Sequence, residues 1–333
     1  MVRSGPDGIP IINGIVMRAG NRDHNFIFHE IYSVHVRTRK LRTSEMPLIS
    51  GSTRQSIFGF SRGRSILRKF RAFGSLRNTS PEFKTRLYES FLQESRATST
   101  FGQHFTPRKV VSAIHDMADV EGMTAGSVIG DPAAGVGGFV LEQMARNLDA
   151  QWTCTGNSMT PVHQWHAQEV VSKTAILAKA NALVHCGDLL AQHPARIPSF
   201  AAWLNQTFEW KGKTALGSLE DMSRSIYDLI ITNPPFVVSG SKDVSKLIKS
   251  NNARKTYFSR KSTGLEGLFI QFIIQALKIN GHAWVLLPET FFLRTTDKEL
   301  RDWMLETCRI GLMAAQGHSV LITGFQERAA DRS

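Results

Sequence analysis

The residues of this chain best suited to chemistry are Asn233-Pro234-Pro235-Phe236, because of what stands in front of them. Asp228-Leu229-Ile230-Ile231-Thr232 has the character of a buried strand and leads straight into a polar amide, two prolines and an aromatic ring. A proline has no N–H for the ladder, so the strand must stop there and present the Asn at its C-terminal edge. In an open α/β sheet that edge is where ligands bind. A side-chain amide and a main-chain carbonyl released from the ladder can together accept both hydrogens of an exocyclic amine, while Phe236 stacks on a flat ring. This layout suits group transfer to the nitrogen of a planar amide or a nucleobase. An ordinary proline-rich turn would carry the same four letters, so the remaining motifs decide.

Asp131-Pro132-Ala133-Ala134-Gly135-Val136-Gly137-Gly138-Phe139 falls between a predicted strand and a predicted helix. Glycines at such a junction allow a tight turn and bring a ligand against bare backbone at a helix N-terminus. The loop lacks the Lys-Ser/Thr of a phosphate-binding P-loop, and Asp131 at its head repels phosphate. An acid at that strand tip favours a cation such as an ammonium or a sulfonium. Glu169 closes the second predicted strand, where a carboxylate can accept from both hydroxyls of a ribose. Asp188, after the third predicted strand, could accept from an adenine amino group. Each acid alone is most simply a solvated strand end. Three at successive strand tips beside one glycine loop describe a ligand with an ammonium, a ribose and an adenine but no phosphate. That ligand is S-adenosylmethionine.

These residues need a scaffold, and the pattern supplies one from Ser80 onward. Ser80 caps a predicted helix with Pro81 and Glu82 in its first turn and an apolar stripe at Phe83, Leu87, Phe91 and Leu92. Thr106 is placed to cap a second, from Pro107 to Met117. Strands are then predicted at residues 127–130, 164–169, 184–186, 227–232 and 282–287, with two last strands at 310–315 and 319–323. Helices are predicted at 139–148, 171–183, 265–277 and 297–308, and 191–223 reads as a long connection holding Trp203, Phe208 and Trp210. Strands alternating with helices imply an α/β fold, a doubly wound and mostly parallel sheet covered on both faces.

Bulk properties narrow the partners. The net charge of +12 is uneven: residues 1–80 hold fourteen Lys and Arg against four acids, the remaining 253 hold twenty-six against twenty-four. A basic N-terminal arm suits a polyanion such as nucleic acid, or is an atypical, partly disordered extension. Cys154, Cys186 and Cys308 are scattered, which argues for a reducing, cytoplasmic setting and against a disulfide framework or zinc site. The eleven histidines form no ligand motif, so no metal is expected. No apolar run approaches the roughly 20 residues that span a bilayer, and no signal peptide is visible, so no membrane partner is expected.

With these residues assembled, the chain resembles the N6-adenine DNA methyltransferases, in particular the methylation (M) subunit of type I restriction-modification systems. The resemblance covers about residues 80–310 and lies in motifs that occur in the family's order. Gln103-His104-Phe105-Thr106-Pro107-Arg108 is similar to the segment that closes over the methionine end of the cofactor. Asp131 to Phe139 is similar to the cofactor loop, with Ala134 where the family often has Cys. Glu169 and Asp188 match the ribose and adenine contacts, and Asn233 to Phe236 the catalytic motif. Glu266-Gly267-Leu268-Phe269-Ile270-Gln271 and the strand from Gly281 to Pro288 also read like the family.

The resemblance implies a Rossmann-like S-adenosylmethionine-dependent methyltransferase domain at 80–325, after a basic arm at 1–79 and before a tail at 326–333. It makes Asn233, Pro234, Pro235 and Phe236 catalytic. It gives the cofactor to Gln103, His104, Phe105, Thr106, Pro107, Arg108, Asp131, Gly135, Val136, Gly137, Gly138, Glu169 and Asp188. It further implies double-stranded DNA as substrate, with a separate specificity subunit and, through it, a restriction subunit as partners. The ends depart from the family. Residues 1–75 do not read as its larger helical domain, and Ile310 to Phe325 looks compressed where two strands and a longer connection are expected. A truncated, non-catalytic remnant is therefore an alternative, as is a methyltransferase acting on RNA or on a protein glutamine.

Overall fold

The protein is described by a computed structural model covering residues 2–4, 10–12, 15–16, 106–146, 148–236, 241–316 and 319–326. The chain divides into two compact units, Met1–Ser99 and Thr100–Ser333. In the first unit, β1 (Val2–Ser4), β2 (Pro10–Ile12) and β3 (Ile15–Val16) form an antiparallel sheet, with Val2 opposite Ile12 and Ile11 opposite Val16. The helix expected from Ser80, any disorder within residues 1–75 and the tail beyond Gln326 lie outside the described residues.

The second unit opens with helix α1 (Arg108–Ala118) and strand β4 (Val128–Asp131), whose chain turns through the glycine loop into α2 (Gly138–Arg146). A short antiparallel hairpin, β5 (Trp152–Thr155) and β6 (Ser158–Pro161), leads to β7 (Gln164–Glu169). Helices α3 (Ser172–Gln192) and α4 (Ile197–Thr207) precede β8 (Phe208–Trp210). Then come β9 (Tyr227–Thr232), α5 (Ser241–Lys249), α6 (Asn252–Tyr257), α7 (Leu265–Ala276) and β10 (Leu277–Pro288). The short α8 (Thr290–Leu293), α9 (Lys298–Thr307), β11 (Cys308–Gln316) and β12 (Ser319–Gln326) complete the described chain.

One seven-stranded sheet gathers these elements in the order β11-β12-β10-β9-β4-β7-β8. Strands β10, β9, β4, β7 and β8 are parallel, while β12 runs antiparallel to both β10 and β11. The strands are apolar nearly throughout because both sheet faces are covered. Leu229, Ile231, Trp284 and Leu286 pack on one side with Ile129 and the helices α1 to α4; Ile230, Val285 and Leu287 pack on the other with α7 and α9. Ile129, Ile230 and Ile231 are fully buried, and each such side chain contributes about 1.5–3 kcal/mol on leaving water. The two antiparallel strands at the sheet's end show how the compressed stretch after Ile310 is accommodated. They form a long hairpin, with Cys308 opposite Gln326 and Gln316 opposite Ser319.

One expected strand is corrected. Val184-His185-Cys186 is helical and belongs to the 21-residue α3. The reason is packing: Ala175, Ala178, Ala182, Cys186 and Leu190 are all buried, at steps of three and four residues, so the helical stripe runs on through the supposed strand. The third strand of the parallel set is Phe208-Glu209-Trp210, inside the segment expected to be a connection; Ala167 pairs with Phe208 and Glu169 with Trp210. Phe208 explains its position, since its fully buried ring contacts Trp203 and fills the space beside Gly137.

Candidate active site

Because β4, β7 and β9 are parallel neighbours, their C-terminal residues arrive at one edge of the sheet. Asp131 ends β4, Glu169 ends β7, and Thr232 delivers Asn233 from β9. The sequence-predicted residues on these three strands are therefore brought together.

Asp131 is almost wholly buried. Its Oδ1 accepts from the Thr232 hydroxyl at 2.8 Å and from the Ala133 N–H at 3.2 Å. Removal from water pushes its carboxyl up to about 7, with the neighbouring Glu169 carboxylate adding to the rise. The residue thus ties the glycine loop to the strand that carries Asn233.

The loop itself depends on two left-handed residues, Gly135 at φ 55° and Gly137 at φ 81°. The Gly137 N–H closes a turn on the Ala134 carbonyl at 2.8 Å, and the Ala134 N–H bonds the Gln168 carbonyl at 2.9 Å. A Cβ on Gly137 would lie 2.6 Å from the Phe208 ring, whereas one on Gly135 or Gly138 would meet nothing within 4 Å. The loop is therefore pinned from behind and open at Gly135 and Gly138, which is what a ligand lying on bare backbone requires. Val136 between them is half-buried.

Glu169 is buried and accepts from the Val171 N–H at 2.7 Å. Burial raises its pKa, opposed by main-chain N–H bonds from Val171, Gly135 and Val170. Beside it, Val170 and Trp210 are about half exposed, and the Trp210 indole N–H holds the Val170 carbonyl at 3.0 Å. This exposed apolar surface next to a carboxylate was not legible in the sequence. Only the burial of the rest of the sheet makes its exposure notable.

Asn233 is half-buried, and its Nδ2 donates to the Thr106 hydroxyl at 3.0 Å. That bond fixes which end of the amide is donor and which acceptor. Thr106 was expected to cap α1; instead the helix starts from Pro107 with no side-chain cap, and the hydroxyl serves Asn233. The Pro107 carbonyl accepts from Val110 and Val111, and Arg108 turns to Glu142 of α2 at 3.5 Å. Pro234 is buried; Pro235 and Phe236 are half-buried. Gln103, His104 and Phe105 lie outside the described residues.

Asp188 does not join the others. It lies sixteen residues into α3, roughly 24 Å along a helix that starts at the Glu169 edge. The end of the true third strand carries a paired charge cluster instead. Lys211 pairs with Glu209 at 2.7 Å and Asp221 at 2.9 Å, and Asp221 also accepts from Gln168.

Comparison with known proteins now bears on this arrangement. The family model for N-6 DNA Methylase matches residues 80–321, most of the chain and all of the site. The chain belongs to the N-6 DNA Methylase family. Among N-6 DNA methylase relatives, the methylase subunit of the Escherichia coli type I restriction enzyme EcoEI is 24% identical over 226 residues, 67% of this chain and 40% of that protein. The EcoKI methylase subunit of Escherichia coli K12 is 24% identical over 250 residues, 69% and 42% of the two chains. The chain thus spans about two fifths of the length of these curated relatives. In fold it is similar to the methyltransferase subunit of a type I restriction-modification system from Streptococcus thermophilus. The TM-score is 0.54 at 15% identity, covering 91% of this chain and 60% of that one.

Among the described residues, no helix is long and apolar enough to cross a membrane, and no three His, Cys, Asp or Glu side chains are grouped to hold a metal ion.

Proposed function

We propose that this chain transfers a methyl group from S-adenosylmethionine to the N6 nitrogen of adenine in double-stranded DNA, as the modification subunit of a type I restriction-modification system. The observation that carries the reading is Asn233, held at the end of β9 with its amide oriented by Thr106, one strand from the open glycine loop.

The residues present fit the cofactor. The backbone from Gly135 to Gly138 is open to a ligand, Glu169 offers carboxylate oxygens to ribose hydroxyls, and Val170 with Trp210 offers apolar surface to a flat ring. Asp188 lies along α3, away from the strand ends that hold Asp131 and Glu169, and Lys211, paired with Glu209 and Asp221, follows β8. When bound, S-adenosylmethionine supplies the methyl group as an electrophile on a sulfonium.

The protein's own residues then have defined tasks. The Asn233 side-chain oxygen and the Pro234 carbonyl accept from the two N6 hydrogens, which keeps the nitrogen's electron density directed at the methyl group. Phe236 stacks on the base. The adenine must leave the duplex to reach this edge, at a cost of about a few kcal/mol of unstacking. No covalent enzyme intermediate is needed, so most of the acceleration comes from holding acceptor and donor in line.

Among the described residues, nothing between the glycine loop and Phe236 forms a module that reads base edges, and in this reading a separate specificity subunit chooses the target sequence and joins a restriction subunit to the complex. The likeness to proteins named as type I methylase subunits supports this. The test is methyl incorporation into duplex DNA, structured RNA and a glutamine-bearing peptide, with and without a co-produced specificity subunit. Transfer to duplex adenine that Asn233→Ala abolishes supports the reading. Full transfer by Asn233→Ala, or preference for RNA or peptide, overturns it. Cofactor binding with no transfer in any combination would establish a non-catalytic remnant.

A further inference from the structure

The tasks above leave one strongly charged surface unused. Between Ser241 and Lys261 the chain carries seven Lys and Arg against a single acid, Asp243. The rest of residues 81–333 holds nineteen against twenty-three. The excess positive charge of the methylase region is therefore concentrated in the α5–α6 segment.

Both ends of that segment lie at the catalytic edge. It begins five residues after Phe236, which an extended chain spans in at most roughly 18 Å. It ends at the N-terminus of α7, where the Thr263 N–H donates to Asp297 at 2.9 Å, in the connection that follows the C-terminal end of β10.

The segment is docked by its apolar side. Val244, Tyr257 and Phe258 are buried, with Leu247 and Ile248 packed against the same core. The Tyr257 hydroxyl donates to the Ser223 carbonyl at 2.5 Å. Two of its cations are neutralised internally. Arg254 pairs with Glu220 and also donates to the Leu247 carbonyl. Glu220 belongs to the turn Gly217–Asp221, whose Ser218 hydroxyl bonds Pro132 of the glycine loop at 2.5 Å. Arg260 pairs with Glu299 at 3.7 Å and lies over the Trp303 ring.

Of the other five, Lys246, Lys249, Lys255 and Lys261 are exposed, and the side chain of Lys242 lies outside the described residues. Lys246 is 80% exposed and pairs with Asp243 at 3.5 Å. The other three have no carboxylate within ion-pair reach among the described residues. Four solvated ammonium groups on a fixed element beside the site suit phosphate, which they can grip without reading sequence.

We propose that the α5–α6 segment is a phosphate clamp: Lys246, Lys249, Lys255 and Lys261 hold the duplex backbone flanking the adenine presented to Asn233. This rests on the reading of the chain as a DNA methyltransferase, and it places the grip on the folded methylase unit rather than on residues 1–79 alone. The test is the binding of a short labelled DNA duplex by the full chain across a salt series. The parent is compared with a variant combining Lys246→Gln, Lys249→Gln, Lys255→Gln and Lys261→Gln. The slope of log affinity against log salt should flatten by about 0.9 for each lysine that touches a phosphate, or about 3 for three or four contacts. Melting temperature and S-adenosylmethionine affinity should match the parent, and Lys173→Gln with Lys298→Gln should leave the slope unchanged. An unchanged slope in the quadruple variant, with duplex binding retained, overturns the clamp and leaves the methyltransferase reading standing. Failure of the parent to bind duplex at low salt both alone and with the specificity subunit, or binding of structured RNA alone, overturns both.

Discussion

Replacing Thr106 by valine asks whether the amide of Asn233 must be held to work. Valine keeps the branched shape and removes only the hydroxyl, so the direct loss is the 3.0 Å bond from Asn233 Nδ2 between partly buried groups. A neutral hydrogen bond of this kind contributes about 0.5–1.5 kcal/mol net, and an amide left unsatisfied as substrate closes the site costs up to about 3 kcal/mol. At about 1.36 kcal/mol per decade, single-turnover methylation should fall by about tenfold, within bounds of about 2-fold and 160-fold. Asn233→Ala should fall further, since it removes the acceptor itself. Thr106→Ser, which keeps the oxygen, should recover most of the rate. The assay is transfer of radiolabelled methyl to duplex DNA in the reconstituted complex, with cofactor affinity measured separately by calorimetry. A full rate in Thr106→Val combined with weakened cofactor binding would refute the reasoning. It would return Thr106 to the methionine end of the pocket, where the family resemblance had put it.

Asp131, with its carboxyl pushed by burial from 3.8 to about 7, holds its proton more tightly folded than unfolded. Its contribution to stability is complete below pH 3.8 and is lost as pH rises through about 7, about 4 kcal/mol in all. Denaturant titrations from acid to neutral pH should show this fall in the parent, and Asp131→Asn should flatten it; parallel curves would contradict the assignment. Gly137→Ala forces a left-handed conformation and drives a methyl into the Phe208 ring, so the melting temperature should drop with a loss of about 1–3 kcal/mol. Glu169→Ala should weaken S-adenosylmethionine binding by about 1.5–3 kcal/mol for each charge-assisted bond lost, while Asp188→Ala leaves it unchanged. Weakened binding in both variants in the same calorimetry would restore the reading made from the sequence.

The parts of this site that the sequence made legible share one property: each is announced by a break in a strong pattern. The apolar run at 228–232 ends in two prolines, and the run at 127–130 ends in an acid and a glycine loop. Both breaks coincide with real strand ends. The third strand was misplaced because its signal is weak and a decoy is nearby. Phe208-Glu209-Trp210 is three residues long with a charge in the middle, whereas Val184-His185-Cys186 has apolar ends but continues a helical stripe set by alanines. Short apolar runs do not separate helix from strand by periodicity alone. The bond between Thr106 and Asn233 was hidden for another reason: it joins positions 127 residues apart, and a local capping role satisfied the same hydroxyl on paper. The hairpin of β5 and β6 did leave a trace, Gly156-Asn157 between two short runs, with Gly156 at φ 56°.

The place of β4 in the sheet has a consequence for how the protein is made. Its neighbour on one side is β9, with Ile129 opposite Leu229 and the Val128 N–H bonded to Asp228, a hundred residues later in the chain. At about 5–20 residues per second of synthesis, that strand emerges about 5–20 s before its partner. Throughout that interval the nascent chain has one bare backbone edge and an unpaired Ile129, exposed in the crowd around the ribosome. The active site exists only once Asn233 has cleared the exit tunnel, so a pause in translation before that point prolongs the life of an aggregation-prone half-sheet. Substitutions in β9 that slow its docking should therefore lower soluble yield in cells before they lower the activity of the protein that survives.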